Sequence, residues 1–300
     1  MIVQSRITKH KMSNKVLICG LGRMGNIHKK YLDMLNINYA WYDPFINLDE
    51  KKDTIRVFSL KDISANNFTH VIISTPEGSH YDVYTNIKNG GFRGKFLIEK
   101  PVIINQDNDD IFQDDSVYCG MVERFNPVIC ELKKRIDTEK IISIDFIRCS
   151  IYSQSIQRVN SFIDVGIHDI DLYFYLTNIN NIEHYSMEKY SNTFSLTVLG
   201  NTPQKYIVRF LWSNETFARE RKIVVRQSDC TYEVDLIDET IKKNTRPQNI
   251  IDCRGVLSEN LYIEKSSPIR NQLENFMREK SNSVCAKDSH KFYNDIVSRF

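Results

Sequence analysis

No apolar run in this 300-residue chain approaches the ~20 residues that cross a bilayer, so nothing in it reads as a membrane helix. Charge imbalance is also missing. Lys and Arg number 40 against 38 Asp and Glu, a formal net charge of +2. So weak a field calls for neither nucleic acid nor an anionic membrane as partner. The short basic clusters Lys29-Lys30 and Lys133-Lys134-Arg135 fall in helical patterns, where a solvated face explains them. The seven cysteines are odd in number and scattered, with no C-x-x-C pair among them. This argues against a disulfide framework or a zinc cluster and points to a reducing, cytoplasmic setting. Residues 1–14 are polar and basic without the apolar core of a signal peptide, and read as a polar leader. Internal repeats and low-complexity linkers are absent too. What remains is an ordinary globular composition, 41% hydrophobic and 26% charged, at a length that suits two domains.

The most informative stretch present is Val16-Leu17-Ile18-Cys19-Gly20-Leu21-Gly22-Arg23-Met24-Gly25. A short apolar run leads into G-x-G-x-x-G, after which Met24, Ile27, Tyr31, Leu32 and Leu35 recur at helical spacing. The order is strand, tight turn, helix. Gly20 allows the turn, Gly22 lets backbone amides approach a pyrophosphate, and Gly25 lets the helix pack close to the strand. The helix N-terminus turns its partial positive charge toward the phosphates. A second strand is expected at 38–42, with Asp43 at its end, about 20 residues past the glycines. There a carboxylate would accept hydrogen bonds from an adenosine ribose. An acid at that position, with no arginine in its place, favours NAD over NADP.

Strand signals at 16–20, 38–42, 55–58, 70–75, 95–100 and 116–122 alternate with helical segments at 24–35, 78–89 and 105–113. This pattern predicts a doubly wound parallel sheet over residues 15–125, with ligands at the carboxyl ends of its strands. After Asn126-Pro127 the pattern changes. Helices are expected at 127–137, 162–177, 268–280 and 288–300. Alternating stretches at 141–150, 182–200, 203–213, 218–228 and 230–237 predict a mostly antiparallel sheet in a second domain, 126–300. Tyr206, Val208, Phe210 and Trp212 share one side of a strand. That side is expected to lie on a sheet face not covered by helices and to be buried by a second copy, in a dimer or tetramer formed through residues about 182–237.

Four segments carry candidate chemistry. Ser74-Thr75-Pro76 ends the fourth strand and precedes His80, beside the expected cofactor cleft. Lys100 follows the apolar strand ending in Glu99, where its amine could exchange protons if poorly solvated. Arg124 and Asn126 lie at the domain junction, a common place for ligands. Arg124 could hold an anionic substrate or a carboxylate of the neighbouring domain. Finally, Asp164, His168, Asp171 and Tyr175 fall on one stripe of the helix that includes Asp164-Val165-Gly166-Ile167-His168-Asp169-Ile170-Asp171. A carboxylate one turn from a histidine can orient the imidazole, which suits a general acid or base. No further ligand set accompanies His168, so no metal is expected.

In order and spacing, GLGRMG, ISTPEGSHY, IEKP, GMVERFNP and DVGIHDIDL resemble the Gfo/Idh/MocA family (glucose-fructose oxidoreductase, inositol dehydrogenase and MocA-like proteins) over nearly the whole chain. The resemblance implies a Rossmann domain followed by an α+β domain with an open-faced, mostly antiparallel sheet. It implies an NAD-dependent dehydrogenase acting on CH–OH groups, with Lys100, Asp164 and His168 at the catalytic positions and a cis Lys100–Pro101 bond. The ERFNP and HDID forms look most like nucleotide-sugar members of the UDP-N-acetylglucosamine 3-dehydrogenase type. The expected cofactor contacts are Gly20, Gly22, Arg23, Met24, Gly25, Asp43, Ser74, Thr75, Pro76, His80, Glu99 and Lys100. Arg124, Asn126 and Arg158 are the expected substrate contacts. Two other functions share this fold: a non-catalytic dinucleotide-binding regulator, and a reductase of a non-sugar substrate.

Overall fold

The structure is a computed structural model, and it describes residues 15–46, 55–56, 59–60, 68–151, 161–200, 204–247, 255–278 and 283–299. The polar leader and Arg158 lie outside the described residues. The chain divides into two compact units after Ile98.

The first unit contains β1 (Lys15–Cys19), α1 (Arg23–Met34), β2 (Asn38–Tyr42), β3 (Ile55–Arg56), β4 (His70–Ile73), α2 (His80–Asn89) and β5 (Lys95–Glu99). These strands pair in parallel in the order β3-β2-β1-β4-β5. Val16 to Cys19, Val71 to Ile73 and Phe96 to Ile98 are fully buried. Continuous apolar runs of this kind belong to parallel strands covered on both faces. From β1 the sheet grows toward β2 on one side and β4 on the other. Such a switch point opens a crevice beyond the carboxyl ends of the strands.

The second unit begins at Glu99. It holds β6 (Val117–Gly120), α3 (Pro127–Arg135), β7 (Ile141–Ile151), α4 (Ser161–Thr177), β8 (His184–Tyr190), β9 (Thr193–Gly200) and β10 (Tyr206–Thr216). There follow β11 (Glu220–Gln227), β12 (Cys230–Asp235), β13 (Thr240–Thr245), β14 (Leu257–Leu261), α5 (Pro268–Arg278) and α6 (Ser283–Val297). Eight strands form one sheet in the order β14-β13-β12-β11-β7-β10-β9-β8. All neighbours are antiparallel except β7 and β10.

One face of this sheet is the core. Phe146 stacks on Phe210 with ring centres 4.8 Å apart, and Phe210 on Trp212 at 5.2 Å. Phe162 and Tyr173 of α4 close over them. The expectation of an uncovered face carrying Tyr206, Val208, Phe210 and Trp212 is therefore corrected. Those four side chains are buried, and it is the opposite parity, Ile207 and Leu211, that faces outward. Alternation along a strand separates two faces but does not say which of them a helix will cover. On the outward face Asp145 of β7 sits between Arg209 of β10 and Arg226 of β11, ion-paired to both. The two guanidinium groups hold its carboxyl below the usual carboxylate range against the opposing effect of burial.

Candidate active site

In the first unit the glycine loop has the geometry of a phosphate cradle. Gly20 adopts φ +90, and a Cβ there would strike the Ser74 carbonyl and the Thr75 amide. A Cβ on Gly25 would collide with the carbonyl oxygen of Gly20. Both glycines are thus needed to pack α1 against the turn. Gly22, the N-cap of α1, is different: a Cβ there would meet nothing within 4 Å. Its glycine is not explained by packing within the protein, and it leaves the space over the helix N-terminus open for a ligand. Arg23 and Met24 follow in the first turn of α1.

Asp43 braces this loop. Its Oδ2 accepts from the Leu21 amide and its Oδ1 from the Phe45 amide, both at 2.9 Å. Ser74 donates to the Gly20 carbonyl oxygen at 2.8 Å. The Ser79 hydroxyl donates to the Thr75 hydroxyl, and His80 Nε2 bonds the Thr75 carbonyl oxygen at 2.8 Å. Ser74 and His80 are buried, and these bonds put both side chains to work within the turn that flanks the glycine loop. Pro76 precedes the single 3-10 turn that leads into α2.

The second unit brings Lys100 and Asp164 together. Lys100 Nζ donates to the Asp164 carbonyl oxygen at 2.7 Å and lies 3.7 Å from its carboxylate Oδ1. The Lys100–Pro101 peptide is cis. Glu99, just before it, is buried. His168 lies one turn beyond Asp164 on α4, partly exposed as a residue. Its Nδ1 is buried and has no hydrogen-bond partner among the described residues.

Asp164 makes no bond to that nitrogen and pairs with the lysine. The environment of His168 also shifts its titration. Burial, and then the positive charges of Lys100, Arg148 and Arg221, hold it well below its usual value. The imidazole is neutral at pH 7.

The polar stripe expected on α4 is only partly a surface. Asp171 is buried. It accepts from Arg124 Nε at 2.7 Å and Nη2 at 2.5 Å, and from the Ser289 hydroxyl at 2.8 Å. Arg124, expected at a substrate anion, thus holds a carboxylate of the protein in a bidentate pair. Asn126 is likewise internal: its Oδ1 accepts from the Val128 amide and caps α3.

Sequence reasoning missed a second buried network. Arg148 of β7 makes three hydrogen bonds to the Asp169 carboxylate, the shortest 2.7 Å, and reaches Glu123 at 3.3 Å. Trp212 Nε1 donates to Asp169 Oδ2 at 2.8 Å. Arg221 extends the chain of charges to Glu123 at 3.8 Å. This network ties α4 to β7 and β10 at the residue next to His168. Its one sequence signal was an aspartate inside an otherwise apolar stripe. Among the described residues no group of three His, Cys, Asp or Glu side chains is disposed to hold a metal ion.

Neither a family model nor a curated protein matches the sequence. Solved structures do match, at low identity. UDP-N-acetylglucosamine 3-dehydrogenase GnnA from Acidithiobacillus ferrooxidans superposes with a TM-score of 0.77 and is 16% identical, over 94% of this chain and 95% of that one. The chain shares the two-sheet fold of this dehydrogenase. The dehydrogenase MviM from Clostridium difficile gives a TM-score of 0.74 at 14% identity, over 96% of this chain and 99% of that one. An NAD-binding protein from Listeria innocua gives 0.70 at 14%, over 94% and 93%. Together they match both the parallel sheet and the larger, mostly antiparallel one.

Proposed function

We propose that this Gfo/Idh/MocA-fold protein is a nicotinamide-dependent oxidoreductase acting on a secondary hydroxyl of a sugar or nucleotide sugar. The observation that carries the reading is the meeting of Lys100 with Asp164 one helical turn before a neutral, poorly solvated His168. The printed name of GnnA, a nucleotide-sugar dehydrogenase, supports the choice of substrate class. When bound, the nicotinamide cofactor supplies the two-electron acceptor or donor for the carbinol carbon. Gly20, Gly22 and Gly25 would hold its pyrophosphate at the start of α1, and Asp43 its adenosine ribose.

The protein's own part is proton handling. An ammonium has three N–H donors. Lys100 directs one at the Asp164 carbonyl and has the Asp164 carboxylate close by. A remaining donor can hydrogen-bond the substrate oxygen and stabilise negative charge as it develops. The His168 imidazole, kept neutral by burial and its cationic neighbours, has a lone pair ready to accept the hydroxyl proton. A panel of sugars and nucleotide sugars, followed by cofactor absorbance at 340 nm, tests this reading. Cofactor binding without turnover of any member would favour the regulator instead.

The same reading assigns NAD as cofactor, with NADP disfavoured. A carboxylate at Asp43 accepts from a ribose 2′-hydroxyl and repels a 2′-phosphate. Asp43→Ala is expected to weaken NAD binding by about 1–3 kcal/mol in a calorimetric titration. Equal or tighter binding of NADP by the unaltered protein would overturn the assignment.

Self-association is proposed through the outward face of the second sheet. Leu199, Ile207 and Leu211 are exposed there on neighbouring strands. An apolar strip of this kind around the Asp145 ion pairs is better covered by a second copy than left to solvent. Light scattering should then report a dimer or tetramer at micromolar concentration, and Leu211→Glu should shift it toward monomer. We also place the protein in the cytoplasm, where the free thiols of Cys19, Cys119, Cys130, Cys149 and Cys230 would stay reduced. Among the described residues no helix is long and apolar enough to cross a membrane.

A further inference from the structure

The segment after Lys100 and the first turn of α4 are far apart in sequence, yet both are hydrogen-bonded to the same short stretch of the C-terminal helix. Val102 is buried, and its amide donates to His290 Nε2 at 3.0 Å across 188 residues of sequence. The next residue is held as well: Asn294 Nδ2 donates to the Ile103 carbonyl oxygen at 3.3 Å. From the same helix, Tyr293 Oη donates to the Ile163 carbonyl oxygen at 2.8 Å, on the residue before Asp164. His290, Tyr293 and Asn294 of α6 thus grip the backbone on either side of the Lys100–Asp164 contact.

The tautomer of His290 follows from its two partners. Nδ1 faces the Ala286 carbonyl oxygen at 2.7 Å, so it carries the proton, and Nε2 is left to accept from the Val102 amide. His290 is 1% exposed and packs against Phe112 at 5.1 Å between ring centres. The acceptor therefore has no route to water. Burial pushes its pKa down to about 4, so the neutral form that can accept this bond is the one present at pH 7. Packing against Phe112 does not by itself require a histidine. A histidine that is buried, fixed in tautomer and joined to a backbone amide two residues from Lys100 calls for another explanation.

We infer that His290, with Tyr293 and Asn294, forms a clamp on α6 that positions the Lys100 amine against Asp164. These are positioning residues: His290 and Asn294 act on the lysine through the backbone at 102–103, and Tyr293 acts on Asp164 through Ile163. The inference rests on the proposed catalytic role of Lys100 for its functional meaning, but the clamp itself can be read out without turnover.

The experiment measures reductive methylation of Lys100 in the full chain by mass spectrometry, relative to Lys222, a lysine on the outward sheet face whose side chain is 44% exposed. In the parent, Lys100 should label slowly, because its amine is held on Asp164. In His290→Leu it should label roughly fivefold faster, the shift in local opening expected from loss of one hydrogen bond. His290→Gln, which can again offer an acceptor to the Val102 amide, should restore slow labelling. If His290→Leu does not fold, Tyr293→Phe gives the same readout at the other jaw of the clamp, since it removes only the hydroxyl that holds Ile163.

With an active substrate, His290→Leu should lower kcat about tenfold or more and leave the KM for cofactor within twofold, and His290→Gln should recover most of the loss. Unchanged Lys100 labelling in both His290→Leu and Tyr293→Phe would overturn the inference. So would equal loss in His290→Leu and His290→Gln, which would mark a packing role alone. Faster labelling with no turnover of any sugar by the parent would leave the clamp standing and remove the proposed activity.

Discussion

Lys100→Ala is expected to lower turnover by roughly 10²–10⁴ while leaving NAD affinity nearly unchanged. The alanine removes the only part of Lys100 that reaches Asp164, an amine 2.7 Å from the carbonyl oxygen and 3.7 Å from the carboxylate. It leaves the glycine loop and Asp43 as they are, so binding and chemistry should separate. Asp164→Asn should be milder. The backbone carbonyl that accepts the shorter bond survives that substitution, and only the longer contact to the carboxylate changes. The check is steady-state kinetics together with a direct cofactor titration of each variant. Near-normal kcat in Lys100→Ala would end the proposed role of the lysine. It would leave the contact with Asp164 as an ion pair with its carboxylate more than half exposed, worth little to stability.

Arg148→Met is expected to be the most damaging substitution for the fold of the second unit, by about 3–5 kcal/mol. Arg148 and Asp169 are both nearly inaccessible, and three hydrogen bonds join them. Removing the guanidinium leaves the Asp169 carboxylate buried with Trp212 Nε1 as a neutral partner, and leaves Glu123 with only the more distant Arg221. An unpaired buried charge is the costly half of such a change. The intact pair itself stabilises much less, because its desolvation offsets most of its attraction. Urea denaturation followed by Trp212 emission in a Trp41→Phe background would read the unit that contains the network. A loss below about 1 kcal/mol would show that water reaches Asp169 once the arginine is gone. His168, the next residue on α4, should show the change too. Loss of the Arg148 charge removes one of the three cations that hold its pKa down, so its titration should move up toward the ordinary imidazole range.

Much of the first unit was legible in the sequence. Its strands carry apolar runs too continuous for one-sided burial, and the glycine spacing allows one local conformation at Gly20 and Gly25. The limits appear where short-range pattern is ambiguous. The stretch expected as a helix at 105–113 is a 3-10 segment, Gln106–Gln113, with a non-helical Asn108 inside it. The long alternating stretch at 182–200 is two strands, β8 and β9, turning at Ser191 with φ +54. No glycine marks that turn; Ser191 and Asn192, both turn formers, are its only sequence signal. Strands β13 and β14 were not anticipated, because the alternation of Thr240 to Thr245 and of Leu257 to Leu261 is weakly apolar. They form at the edge of the sheet, where packing asks less of them.

The candidate site divides in the same way. Sequence by itself determined the local pieces: a strand–turn–helix with its glycines and Asp43, a lysine at the end of an apolar strand, and a helix carrying Asp164 and His168. Those follow from backbone sterics and from periods of 2 and 3.6 residues, which are short-range quantities. Only the tertiary structure decided which charges meet. It paired Asp164 with Lys100 rather than His168 and engaged Arg124 with Asp171. It buried Arg148 against Asp169, and it turned the aromatic side of β10 toward α4 and away from solvent. It also brought His290 to the Val102 amide. The physical reason is that a charge or a hydrogen-bond acceptor acts on whatever lies within a few ångströms. In a folded chain those neighbours come from residues 21 to 188 positions away, at separations that no local pattern records.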